Sequence, residues 1–141
     1  MTDTYPKDVP KIFKTVTISP DLYILPNNNN TVLVDSSASK AHEQQTDIEI
    51  EKANVCILVY DVNNFDIIKR IRTYWLPRIV KLNDKVPIII CGNKMDLRAQ
   101  RSEGDLETLL TPNFMEFKQV EMGIECSAKG YVGLIDILSC A

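Results

Sequence analysis

The chain has 141 residues, of which 45% are apolar and 25% charged, so it holds one domain with a core and is too short for two. Its 16 Lys and Arg against 19 Asp and Glu leave a net charge of -3, which disfavours nucleic-acid binding through a basic face. No apolar run approaches the roughly 20 residues that span a bilayer, and the opening MTDTYPKDVP has no secretory apolar stretch, so a cytoplasmic single-domain protein is expected.

Residues 1–30 carry Pro6, Pro10, Pro20 and Pro26 and end in the run Asn27 to Asn30. The β-branched runs Thr15 to Ile18 and Thr31 to Asp35, joined by a polar connection, predict an antiparallel hairpin with the Asn run as its loop tip. HEQQTDIEIEKA, from His42, predicts a weak surface helix with Ile48 and Ala53 turned inward. The continuous apolar run Asn54 to Val62 is expected of a strand buried on both faces. In FDIIKRIRTYWLPRIVKL, the residues Ile67, Ile71, Trp75 and Ile79 recur every four positions, with Ile68 and Leu82 beside them. This is an amphipathic helix that Pro77 should kink or divide, with Trp75 and Pro77 as core and shape residues. Lys69, Arg70, Arg72 and Arg78 of that segment are expected to form a solvated face.

VPIIICGN predicts the next buried strand, opened by Pro87, and a helical stretch follows around Glu103 to Leu110. VEMGIECSAK reads as a strand and loop, and GLIDILSCA as a helix with Leu134, Ile137 and Leu138 inward. Strands alternating with helices in this order predict an α/β fold, an open and mostly parallel sheet with helices on both faces. Cys56, Cys91, Cys126 and Cys140 form no Cys-x-x-Cys pair, and His42 is the one histidine, so the spacing fits no zinc site. Buried thiols in a reducing compartment are expected instead. A lone histidine also disfavours Ser-His-Asp and Cys-His chemistry.

In open parallel sheets, ligands bind at the carboxyl ends of the strands. Three polar clusters fall there: Asp35 after TVLV, Asn93-Lys94-Met95-Asp96 after PIIICG, and Ser127-Ala128-Lys129 after GIEC. A carboxylate accepts two parallel hydrogen bonds from a flat N–H/NH₂ edge, which guanine presents and adenine does not. Asp96 is therefore suited to select guanine. Lys94 can lay its stem over the base, Asn93 can tie the loop to its neighbours, and the Ser127–Lys129 loop can bring a backbone N–H near the guanine O6. Asp35 reads equally as an ordinary turn residue at a strand end.

GNKMDL and ECSAK resemble the two guanine-recognition motifs of Ras-superfamily small GTPases. YPKDVP, KTVTISPD, VLVDSS, ANVCILVYDVNN, YWLPRI and VPIIICGNKMDL resemble successive segments of the N-terminal GTPase domain of the mitochondrial Rho (Miro) family. The resemblance implies a Ras-like P-loop NTPase fold that binds GTP/GDP with Mg²⁺, in a family that hydrolyses GTP. It further implies Asn93, Lys94, Asp96, Ser127, Ala128 and Lys129 as nucleotide-binding residues. Asp35 would hold a Mg²⁺-bound water and Thr17, or Thr15 in a different alignment, would be the Mg²⁺-binding threonine. It places the protein on the cytosolic face of the mitochondrial outer membrane, with motor-adaptor proteins as partners.

The departures from that pattern bear on activity. G-x-x-x-x-G-K-[ST] does not occur, no glycine precedes Gly92, and Ala38 and Ser39 stand where the superfamily has the Gly and the water-positioning Gln after Asp35. The expected architecture is thus a single incomplete small-GTPase-like domain over 1–141, without its first strand and P-loop helix: a switch and hairpin region at 1–40 and an α/β part at 41–141. A weakly active or inactive guanine-nucleotide domain is the expected function; a non-catalytic interaction module that keeps the shape without nucleotide is the alternative. The absent strand would lie between Asp35's strand and the strand at Asn54 to Val62. Those two strands then either close on each other or leave a gap that exposes Val55 to Tyr60 and Pro87 to Cys91.

Overall fold

The structure of the protein is a computed structural model that describes residues 14–18, 31–98, 114 and 116–140. The Asn27 to Asn30 run and the helical stretch expected around Glu103 to Leu110 lie outside these residues. Strands β1 (Lys14–Ile18) and β2 (Thr31–Asp35) pair antiparallel, with Thr17 opposite Val32 and Lys14 opposite Asp35. Val32 and Leu33 are exposed, so the ladder rather than burial among the described residues defines this hairpin.

Strands β3 (Cys56–Asp61), β4 (Ile88–Asn93) and β5 (Val120–Glu125) form a parallel sheet in the order β3-β4-β5. Ile88 and Ile90 of β4 face one core with Ile50, Tyr60, Ile71, Leu76 and Ile79, while Cys91 faces another with Cys126 and Ile137. Both faces of β4 are covered, which is why its sequence is an unbroken apolar run.

Helix α1 (Glu43–Lys52) follows a 3₁₀ turn, Lys40–His42, whose N-cap Ser39 accepts from the Ala41 N–H. Its inward residues are Thr46 and Ile50, whereas Ile48, expected inward, is 41% exposed. The surface carries one buried stripe at i, i+4, and Ile48 lies two residues out of phase with it. Thr46 tolerates burial because its hydroxyl donates to the His42 carbonyl (3.0 Å), a hydrogen bond that composition does not reveal.

The long amphipathic segment is helical throughout: α2 (Phe65–Arg70), a π-turn at Ile71–Trp75, and α3 (Leu76–Leu82). Pro77 neither ends nor divides it. Proline has no N–H to donate back one turn, and the preceding turn is wound so that the Leu76 N–H reaches the Ile71 carbonyl. The wider turn advances the buried stripe by one position. Leu76 is fully buried, and Trp75 is half-buried with its ring edge-on to Tyr74 at 5.0 Å. Lys69, Arg70 and Arg72 are exposed, but Arg78 is not part of that face. It grips both oxygens of Asp47 on α1 at 2.7 and 2.8 Å and also bonds Glu43.

Helix α4 (Leu134–Cys140) buries Ile137 and half-buries Leu134 and Leu138. Among the described residues no ladder joins β2 to β3, so these strands do not close onto each other. Among the described residues strand β3 is the sheet's edge, and Val59 is 61% exposed on it, which corrects the expectation of a strand buried on both faces. Strand β4 is the opposite case: Ile88 to Cys91 stay buried between β3 and β5, gap or no gap.

Candidate functional site

Two loops meet at the carboxyl end of the parallel sheet. Strand β4 ends at Gly92 and Asn93, where a Cβ on Gly92 would come within 2.8 Å of Val62 Cγ1. The bare glycine lets the strand ends approach, and the Val62 N–H donates to the Asn93 carbonyl at 3.0 Å. Lys94 then takes a left-handed backbone (φ 68, ψ 32) and starts a 3₁₀ turn at Met95–Leu97. On the β5 side, the Cys126 N–H donates to the Gly92 carbonyl (2.8 Å) and the Met95 N–H to the Cys126 carbonyl (3.1 Å). The backbone itself stitches the loops together.

Side chains complete the stitching. Asn93 Oδ1 accepts from the N–H of Lys94 at 2.7 Å and from the N–H of Ala128 at 3.0 Å. Ser127 is 1% exposed, and its hydroxyl donates to Asp96 Oδ1 at 2.5 Å while accepting from the Gly130 N–H at 2.9 Å. An anchored hydroxyl thereby holds the Asp96 carboxylate in one orientation. Gly133 has φ +73, and a Cβ there would sit 2.7 Å from the Glu125 carbonyl oxygen, so the return from this loop into α4 is made at a glycine.

Asn93, Lys94, Asp96, Leu97 and Lys129 line an open cavity of about 290 Å³. Six of the sequence-predicted residues (Asn93, Lys94, Asp96, Ser127, Ala128 and Lys129) thus converge on one place, in different roles. Ser127 supports Asp96 from beneath rather than lining the cavity. The Ala128 N–H is engaged by Asn93, so contact with a guanine O6 requires this donor to be shared or released.

Asp61, at the end of β3, belongs to neither loop motif. Its Oδ2 accepts from Lys94 Nζ at 2.8 Å, and its Oδ1 accepts from the backbone and side-chain N–H groups of Asn63 at 2.9 and 3.1 Å. The Lys94 ammonium, followed by the Asn63 N–H, holds the Asp61 carboxyl below the usual 3.8. The only available signal was an acid closing a strand in YDVNN.

Thr17 and Asp35 do not come together. They lie three register pairs apart in the β1–β2 hairpin, and that odd number puts them on opposite faces, roughly 10 Å apart along the strand. Thr15 has the same parity as Thr17. Mg²⁺ needs oxygens at about 2.0–2.1 Å, so this hairpin does not fit a shared Mg²⁺ ion, and no metal-dependent step follows from it. The thiols of Cys91 and Cys126 touch beneath the loops, Sγ to Sγ 3.3 Å, and burial pushes the Cys91 thiol up to about 12.

A model of the Ras family matches residues 5–139. The chain is 38% identical over 128 residues to mitochondrial Rho GTPase 1 of Mycosarcoma maydis, covering 90% of the chain and 17% of that protein. Mitochondrial Rho GTPase 2 of Arabidopsis thaliana is 32% identical over 135 residues, covering 96% of the chain and 21% of that protein. Mitochondrial Rho GTPase 1 of Cryptococcus neoformans is 36% identical over 127 residues, covering 89% of the chain and 18% of that protein. The chain therefore spans about a fifth of the length of these relatives.

Proposed function

The chain belongs to the Ras family, and on that premise we propose that the cavity between its two loops holds the guanine ring of GTP or GDP. One observation carries this reading: Asp96 is fixed by the buried Ser127 hydroxyl at the rim of a cavity also lined by Lys94 and Lys129. Held there, the carboxylate accepts the N1–H and N2 amine of guanine together. Adenine offers no such edge. The lysine stems cover the ring, and Asn93 keeps the two loops in register.

The bound nucleotide supplies the phosphates whose hydrolysis defines GTPase chemistry, and these 141 residues carry little to act on them. They contain no G-x-x-x-x-G-K-[ST], and Ala38 and Ser39 replace the Gly and Gln that follow Asp35 in the superfamily. We therefore read this segment as base-recognising and as a weak or inactive hydrolase by itself. Mg²⁺ would enter with the phosphates, since the Thr17 and Asp35 geometry supports no site of its own.

The names of the mitochondrial Rho relatives support association with mitochondria; a place at the cytosolic face of the outer membrane and motor-adaptor partners are our proposal from the family resemblance alone. Among the described residues no helix is long and apolar enough to cross a membrane. The opposite-face placement of Thr17 and Asp35 favours the second reading, an interaction module that keeps the shape and binds no nucleotide.

Titration with fluorescent GDP and ADP separates the two readings. Guanine recognition predicts a preference for GDP that Asp96→Ala weakens by roughly 2–4 kcal/mol, the cost of leaving the paired donors unmatched. Equal affinity for the two bases would refute it.

A further inference from the structure

We propose that Asp61 is a positioning residue for guanine recognition, acting by holding the Lys94 side chain along the wall of the base cavity. The proposal rests on the guanine reading of that cavity and adds a residue that the GNKMDL and SAK motifs do not contain.

Asp61 and Asn93 are the last register partners of the β3–β4 ladder, so Lys94 begins one residue beyond the strand end that Asp61 closes. The left-handed backbone at Lys94 turns the chain there, and its ammonium lies 2.8 Å from Asp61 Oδ2. Asp61 is itself fixed. Its second oxygen is tied to the backbone and side-chain N–H groups of Asn63, so it cannot swing with the lysine as a loose surface pair would. Lys94 lines the cavity, whereas Asp61 does not. Any effect of Asp61 on a bound base is therefore transmitted through Lys94.

The physical gain is preorganisation. A lysine stem has four rotatable bonds, and ordering it over a ring on binding opposes affinity. An ion pair at the far end confines the stem before the ligand arrives. The Lys94 and Asp61 side chains are 46% and 33% exposed, so screening leaves this pair little effect on fold stability, and its effect should appear in binding.

The test uses the 141-residue chain with GDP as probe, followed through the amide resonances of Lys94 and Ala128, with thermal unfolding recorded alongside. Asp61→Asn is expected to weaken GDP about three- to tenfold, with the unfolding midpoint nearly unchanged. Asp61→Glu restores most of the affinity, because the carboxylate persists. In the Lys94→Ala background, Asp61→Asn has no further effect. Asn63→Ala, which loosens the carboxylate without removing its charge, weakens binding about twofold and serves where Asp61→Asn fails to fold.

GDP affinity unchanged in Asp61→Asn, or lowered equally with and without Lys94, overturns the proposal and leaves the guanine reading standing. Wild-type chain that binds GDP no better than ADP overturns the guanine reading and the proposal with it.

Discussion

Asn93→Ala removes one oxygen that accepts from the Lys94 N–H at 2.7 Å and from the half-buried Ala128 N–H at 3.0 Å. Each such bond is worth about 0.5–1.5 kcal/mol net, so losing both costs about 1–3 kcal/mol. Lys94 also loses a contact that helps hold its left-handed backbone, itself a conformation unfavourable by roughly 1–2 kcal/mol for a non-glycine residue. Unfolding entropy for a chain of this size is about 0.3 kcal/mol per kelvin, which converts the loss to a fall of roughly 3–10 °C in the unfolding midpoint. The assay is thermal unfolding by circular dichroism together with amide hydrogen exchange. The Ala128 amide should exchange faster than the global loss explains, while Ile88 to Ile90, buried in the central strand, should slip only by the global amount. Wild-type exchange at Ala128 with an unchanged midpoint would refute the claim that Asn93 joins the two loops.

Leu76→Ala should cost about 2–5 kcal/mol in urea unfolding and Ile48→Ala under about 0.5 kcal/mol, since the first is fully buried and the second 41% exposed; the reverse order would disprove the inward faces assigned to α3 and α1. Cys140 is exposed and should be alkylated first at pH 8, whereas Cys91, with its thiol raised to about 12 by burial and by Cys126, should react only on unfolding; mass spectrometry after brief labelling decides it. The Asp61 carboxyl is held below 3.8 by Lys94 and then Asn63, so its stabilising contribution is present above that pH and is lost as the pH falls through the lowered native value. That contribution is small for so exposed a pair, so the check is an acid titration followed at the Asp61 carboxyl by NMR, which should give a midpoint below 3.8; a midpoint at or above it would reverse the sign.

The two cavity loops were legible because each is a contiguous polar motif directly after a strand. Asn93 to Asp96 follow the buried strand β4 and Ser127 to Lys129 follow the half-exposed strand β5, and parallel neighbouring strands bring both loops to the same sheet end. The strands themselves, and the helices over Glu43 to Lys52 and Phe65 to Leu82, follow from local apolar period and β-branching, which need no knowledge of neighbours. Which residue of a period is buried is another matter. One wide turn ahead of Pro77 transferred full burial from Trp75 to Leu76, and the arrangement of α1 against α3 drew Arg78 out of the solvated face onto Asp47.

Partner and register are equally invisible in a single strand. Strand β3 has the composition of a central strand, yet it is an edge among the described residues, and Val59 is exposed as a result. Thr17 and Asp35 both sit in the hairpin that the sequence predicts, but the register sets the parity of their separation, and parity puts them on opposite faces. The Asp61–Lys94 pair joins residues 33 positions apart, and the Ala128–Asn93 bond spans 35. Sequence patterns encode what a residue does to its own few neighbours. Contacts of this span exist only once the strands have chosen their partners, so the supports of the cavity between the loops were decided by the tertiary structure alone.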